Sequence, residues 1–143
     1  MLAKVEKILR ENTLCVLCTE GGGNPYCSLM TYIPNDDLRM LYMVSTLESR
    51  KFKNLLANPR VSVLVDTRQN PGTSPEEKIA SVTFEGSFQP LDASEMQRIK
   101  KYLANDHLEL NDILENPNCV VFSIRLNSYL LLDGPVDSFK GNL

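Results

Sequence analysis

Leu41-Tyr-Met-Val-Ser-Thr-Leu-Glu-Ser-Arg-Lys-Phe-Lys-Asn-Leu-Leu-Ala-Asn-Pro-Arg-Val-Ser-Val-Leu-Val-Asp66 is the stretch whose reading decides the fold. An apolar run, Leu41 to Val44, stops at the hydroxyl residues Ser45 and Thr46, with Ser49 just beyond. Phe52, Leu55 and Leu56 then stand at the spacing of one buried helical face, which predicts a short helix. Asn58-Pro59 ends it, because the residue before a proline is pushed out of the helical region. Val61 to Val65 reads as a further strand. Arg50, Lys51 and Lys53 crowd the first turn of this helix, where the dipole and the free N–H groups favour negative charge. Glu48 alone opposes them. Cations at the positive end of a helix are locally unfavourable unless an anion sits among them. N–H donors, flanking hydroxyls and an Arg-Lys pair together make a phosphate cradle. Long side chains that simply point into water are the other reading of the same residues, and the sequence leaves both open.

Outward from this stretch the chain reads mostly as strands and turns. Residues 2–11 carry Leu2, Val5, Ile8 and Leu9 on one stripe, an amphipathic opening helix. Thr13–Glu20 and Pro25–Ile33 are strands joined by Gly21-Gly22-Gly23-Asn24, a hairpin connection by its glycines. The triple glycine lacks the offset glycine and the following helix of a dinucleotide fingerprint. Pro34-Asn35-Asp36-Asp37 is the next turn, with Asp36 and Asp37 as turn formers, and Leu38–Ser45 the third strand. Residues 67–78 read as a surface loop, since they contain Asn70-Pro-Gly-Thr-Ser-Pro75. From Ile79 to Gln89, Ala80, Val82, Phe84 and Gly86 alternate with Ile79, Ser81, Thr83 and Glu85, a strand with one wetter face. Asp92-Ala-Ser-Glu95 is a capping box for the longest helix, with Met96, Ile99 and Leu103 inward. A second short turn covers Leu108–Leu114. Cys119–Leu126 and Tyr129–Leu132 are two closing strands joined by Asn127-Ser128, and residues 134–143 read as a loose tail. The expectation is one domain over residues 1–143, mainly β with a few short helices. Six or seven antiparallel strands would close into a barrel, which removes exposed edges.

A chain of 143 residues is long enough to bury a sizeable core. Its formal net charge of −3 argues against a nucleic-acid binder. No apolar run is long enough to span a bilayer, and the opening Met-Leu-Ala-Lys-Val-Glu-Lys lacks a signal-peptide core, so a cytoplasmic, membrane-free protein is expected. Cys15 and Cys18 have a C-x-x-C spacing, but they lie in Thr13-Leu-Cys-Val-Leu-Cys-Thr19. On a strand, side chains three apart point to opposite faces, so the pair does not close on one metal. Cys27 and Cys119 read as small apolar core residues. The single histidine, His107, excludes a multi-histidine metal site and reads as a surface residue at a helix end. No metal site is expected, no catalytic residue is assigned, and no hydrolase or P-loop motif is present. Tyr26, Tyr32, Tyr42, Tyr102 and Tyr129 read as core or interface aromatics, with Tyr32 the one to test as a proton donor.

The ordered set of hairpin strands, a strand ending in hydroxyls, Ser49-Arg50-Lys51, a short helix and Asn58-Pro59-Arg60-Val61 resembles the pyridoxamine 5′-phosphate oxidase-like family of FMN-binding split β-barrels. The likeness runs from the opening helix to about Asp133. It implies that Arg50 and Lys51 bind an FMN phosphate, with Ser45, Thr46 and Ser49 contributing hydroxyls. It also implies that Ser28, Leu29, Met30 and Thr31 lie against the flavin ring, and that the protein is a homodimer with the flavin at the interface. Two departures argue against a vitamin B6 oxidase. Ser28 stands where that oxidase has an arginine, and Asp133-Gly-Pro-Val-Asp-Ser-Phe-Lys-Gly-Asn-Leu143 carries no Arg-and-His substrate motif. The resemblance therefore implies a flavin-dependent oxidoreductase acting on an unspecified small redox substrate. The alternatives are a flavin-binding electron-transfer protein without turnover, or a split barrel that holds a deazaflavin or haem.

Overall fold

The computed structural model describes residues 1–70 and 78–143. Its hairpin joins β1 (Leu14–Gly21) to β2 (Asn24–Thr31) through Gly22 and Gly23, whose φ angles of 60° and 84° suit a two-residue turn that glycine alone adopts freely. After β2 come β3 (Ile33–Pro34), β4 (Met40–Thr46), β5 (Arg60–Asp66), β6 (Ala80–Gln89), β7 (Cys119–Asp133) and β8 (Asp137–Asn142). The strands lie in the order β2-β1-β5-β6-β7-β4-β3, with β8 beside β7, and all pairings are antiparallel. One stretch of chain closes the ring. Its first part, β2, pairs with β1 at one margin of the sheet, and residues 33–34 pair with β4 at the other. Among the described residues the outer edge of β2 has no partner strand, as in a split barrel.

Interior positions follow the alternation of the strands. Leu17, Val63, Val82, Phe84, Ile124 and Leu131 are fully buried. Helix α1 (Leu2–Glu11) closes one end with Val5, Ile8 and Leu9, and the buried Tyr32 hydroxyl donates to the Leu9 carbonyl at 2.8 Å. Helix α2 (Arg50–Ala57) inserts Phe52 and Leu55, and Phe52 meets Phe88 and Phe122 at ring separations of 5.9 and 6.1 Å. Helix α3 (Ala93–Asp106) is capped by Asp92, whose carboxylate accepts from Glu95 N at 2.8 Å. It covers Val44 and Val121 on the outer face of β4 and β7, through Ile99 and Leu103. A 3₁₀ turn (Leu108–Leu110) and α4 (Asn111–Leu114) complete this layer.

Several expectations need correction. Residues 134–143 are not a loose tail, because β8 pairs with the second half of β7. Strand β4 runs along β7 only as far as Arg125, leaving residues 128–133 with an open edge that β8 covers. Cys119–Asp133 is one strand, not two. The break foreseen at Asn127-Ser128 is a bulge, since Gly86 pairs with Leu126 and Glu85 with Ser128. Leu56 is 65% exposed, and the buried face of α2 holds Asn54 instead, whose amide donates to Thr19 Oγ1 at 3.1 Å. Cys27 is exposed and not a core residue, because it sits on the outer face of the edge strand. The surface loop expected over residues 67–78 lies mostly outside the described residues.

Candidate functional site

The junction of β4 and α2 assembles the hydroxyl and cationic residues singled out by the sequence. Ser45 shares its parity with the buried Met43, so it faces the interior, while Thr46 ends the strand half-buried. Ser49 is the N-cap of α2. Its hydroxyl donates to the Thr46 carbonyl at 2.9 Å and accepts from Phe52 N at 3.3 Å. Ser45 Oγ lies 2.9 Å from Ser49 Oγ. Since the single Ser49 hydrogen is committed to Thr46, Ser45 is the donor in that pair. Both hydroxyl hydrogens are thus engaged within the protein. The groups left to meet an anion are the Arg50 and Lys51 side chains and the first N–H groups of α2. Among the described residues, the backbone N–H groups of Arg50 and Lys51 have no protein acceptor. Neither side chain is in an ion pair with a described residue.

Arg50 is steadied by Tyr26, which the sequence suggested only as a core or interface aromatic. Its guanidinium carbon lies 5.4 Å from the centre of the Tyr26 ring, within the range of a cation–π contact. Tyr26 opposes Thr19 across the hairpin, and Thr19 binds Asn54 of α2, so the hairpin and helix are fixed to each other at this point. Counting back from Gly22-Gly23 pairs Thr19 with Tyr26 in the sequence itself; nothing there says that Arg50 reaches the ring. A second tie runs from Asn58 Nδ2 to Glu20 Oε2 at 2.8 Å, and Glu20 also accepts from Gly23 N. The Asn58 bond first, then the Gly23 N–H, hold the Glu20 carboxyl below its ordinary range.

The residues expected against a ring do not share one face. Ser28 and Met30 oppose Leu17 and Cys15 and point inward, whereas Leu29 and Thr31 oppose Val16 and Leu14 and point outward. Met30 is buried in the core, Leu29 is 70% exposed, and Ser28 and Thr31 are half-buried. Strands β2 and β4 approach each other, and Ser28, Met30 and Ser45 all lie on inward-facing positions of their strands. Tyr32, expected near this strand as a candidate proton donor, is 1% exposed, and its hydroxyl is spent on Leu9. Burial pushes its phenol above the ordinary value, and the bond to Leu9 turns its hydroxyl away from any surface site. His107 caps the end of α3, with Nδ1 3.1 Å from Glu109 Oε1. Among the described residues no cluster of His, Cys, Asp and Glu is placed to hold a metal, and no helix is long and apolar enough to cross a membrane.

The sequence model of pyridoxamine 5′-phosphate oxidase matches residues 1–133. The chain belongs to that family. No protein of curated function matches the sequence closely, but solved structures share the fold. A FAD-binding protein from Mesorhizobium loti superposes with a TM-score of 0.75 at 24% identity, covering 92% of this chain and 93% of its own. General stress protein 26 from Bacillus anthracis gives 0.73 at 20% identity, over 99% and 97% of the two chains. A haem-binding protein from Mycobacterium smegmatis gives 0.78 at 16% identity over 94% of this chain, which spans only 55% of that protein's length. The structures that share this fold thus include one protein named for binding FAD and one named for binding haem.

Proposed function

We propose that this member of the pyridoxamine 5′-phosphate oxidase family binds FMN without a covalent link and serves as a flavin-dependent oxidoreductase. The observation that carries the reading is the start of α2, where Arg50 and Lys51 flank free helix N–H groups and have no carboxylate partner among the described residues. That donor set fits a phosphate monoester. In this reading Arg50, held over Tyr26, and Lys51 grip the phosphate. Ser45 and Ser49 shape the turn from beneath, and each reaches a phosphate oxygen only by surrendering the bond it now makes. Thr46 adds a half-buried hydroxyl at the end of β4. The inward face of Ser28 and Met30, and the backbone of β2 from Ser28 to Thr31, line the ring and exclude water from one side. A bound flavin supplies the redox chemistry of such a site.

The same proposal includes a cytoplasmic homodimer with the ligand between subunits. Leu47 and Leu56 support it. They are 50% and 65% exposed and precede and follow Arg50 and Lys51 in the chain, apolar side chains that a second subunit over this junction would cover. The test is a visible absorption spectrum of the purified protein before and after loading with FMN and gel filtration. Flavin bands co-eluting with a dimer are expected. Bleaching of those bands by a specific organic substrate, with repeated turnover and a released product, separates an oxidoreductase from a flavin-storage or electron-transfer protein. A protein that rejects FMN and instead retains haem or a deazaflavin overturns the cofactor.

A further inference from the structure

Cys18 and Cys27 face each other across β1 and β2, with their sulfurs 3.4 Å apart. The register identifies the kind of pair they form. Tyr32 N–H donates to the Thr13 carbonyl at 3.0 Å, which makes Thr13 and Tyr32 a hydrogen-bonded pair of the hairpin. Such pairs alternate along an antiparallel ladder, so positions 15, 17 and 19 of β1 are hydrogen-bonded and position 18 is not. In a non-hydrogen-bonded pair the Cα atoms lie about 4.5 Å apart and the side chains come closest. That separation falls within the range of about 4.4–6.8 Å that a disulfide spans. The two side chains share the outer face of the sheet. Cys27 is exposed on the edge strand and Cys18 is half-buried beside it. Cys15, by contrast, points into the core, and burial pushes its thiol up to about 12. Cys119 lies on β7, half-buried.

We propose that Cys18 and Cys27 form a redox-active dithiol that closes to an intrachain disulfide when a small-molecule disulfide oxidises it. Cys27, the accessible sulfur, attacks one sulfur of the oxidant and expels the first thiolate, leaving a mixed disulfide on Cys27. Cys18 then loses its proton and attacks Cys27 Sγ, expelling the second thiol. The two protein thiols give up two electrons and two protons, and the oxidant leaves as two thiols. Burial, and then the hydrogen bond to Cys27, push the Cys18 thiol up to about 11, which suits it to the second step and not the first. The closed bond would tie the unpaired edge strand β2 to β1 at its middle. Although β2 also serves the flavin reading, both sulfurs lie on the outer face of the hairpin, opposite the inward face of Ser28 and Met30, so the dithiol can be tested without flavin.

The test equilibrates the full chain in mixtures of reduced and oxidised glutathione, followed by acid quench, alkylation and mass spectrometry. As the oxidised fraction rises, Cys18 and Cys27 should lose their free thiols together as one intrachain disulfide, while Cys15 and Cys119 remain alkylated. Cys18→Ser should instead accumulate glutathione on Cys27. Persistent alkylation of Cys18 and Cys27 in oxidised glutathione overturns the proposal. So does a disulfide that joins two chains, or a stable glutathione adduct on Cys27 of the unmodified protein.

Discussion

At the start of α2 the Ser49 hydroxyl performs three tasks: it donates to Thr46, accepts from Phe52 N–H and receives the Ser45 hydroxyl. Ser49→Ala removes the N-cap and leaves Ser45 without its acceptor. It should lower stability by about 1 kcal/mol, read as a shift of the urea midpoint with an unchanged slope. That Ser49, Arg50 and Lys51 gather at the start of a helix was legible in the sequence because they adjoin one another in the chain, whereas the use of the Ser49 hydroxyl as N-cap appears only in the structure. The role of Tyr26 was not legible, because it depends on which strand faces the helix. Tyr32 is the core aromatic its strand position suggested, but its hydroxyl partner, the carbonyl of Leu9 at the far end of α1, could not be read from the sequence.

Among the elements, the hairpin and α2 are joined by Glu20, which bridges the Gly22-Gly23 turn to the C-cap of the helix. Its carboxyl titrates lower in the folded chain than in the unfolded one. The contribution is therefore present above the unfolded value of about 4.3 and lost as pH falls through the folded value. Glu20→Gln should flatten the acid limb of stability against pH, followed as urea midpoints on either side of that figure. At the bulge opposite Asn127, a Cβ on Gly86 would stand 2.5 Å from the Arg125 carbonyl oxygen. Gly86→Ala should cost about 1–3 kcal/mol through forced displacement of β7, measurable by thermal unfolding. The glycines and capping box made the hairpin and α3 readable in advance. Strand β8 was hidden because Asp-Ser-Phe-Lys-Gly-Asn lacks the β-branched residues of a strand. It pairs only because β7 outruns β4.

For the whole molecule, the barrel is split because β2 contributes one edge to β1 and passes into β3 before it can pair on its other side. The antiparallel barrel could be read from the strand periodicity. The way residues 24–34 serve both margins could not, because closure is set by register between distant strands. A homodimer built over the β4–α2 junction should be weakened by Leu47→Lys combined with Leu56→Lys, seen as later elution on gel filtration with an unchanged circular dichroism spectrum. The most direct test of the central claim compares FMN retention by the unmodified protein and by Arg50→Ala combined with Lys51→Ala. Charge-assisted bonds to a phosphate are worth roughly 1.5–3 kcal/mol each, so the double variant should lose about a hundredfold or more in affinity while keeping its fold. Equal FMN affinity in the two proteins would contradict the assignment of the phosphate to the start of α2.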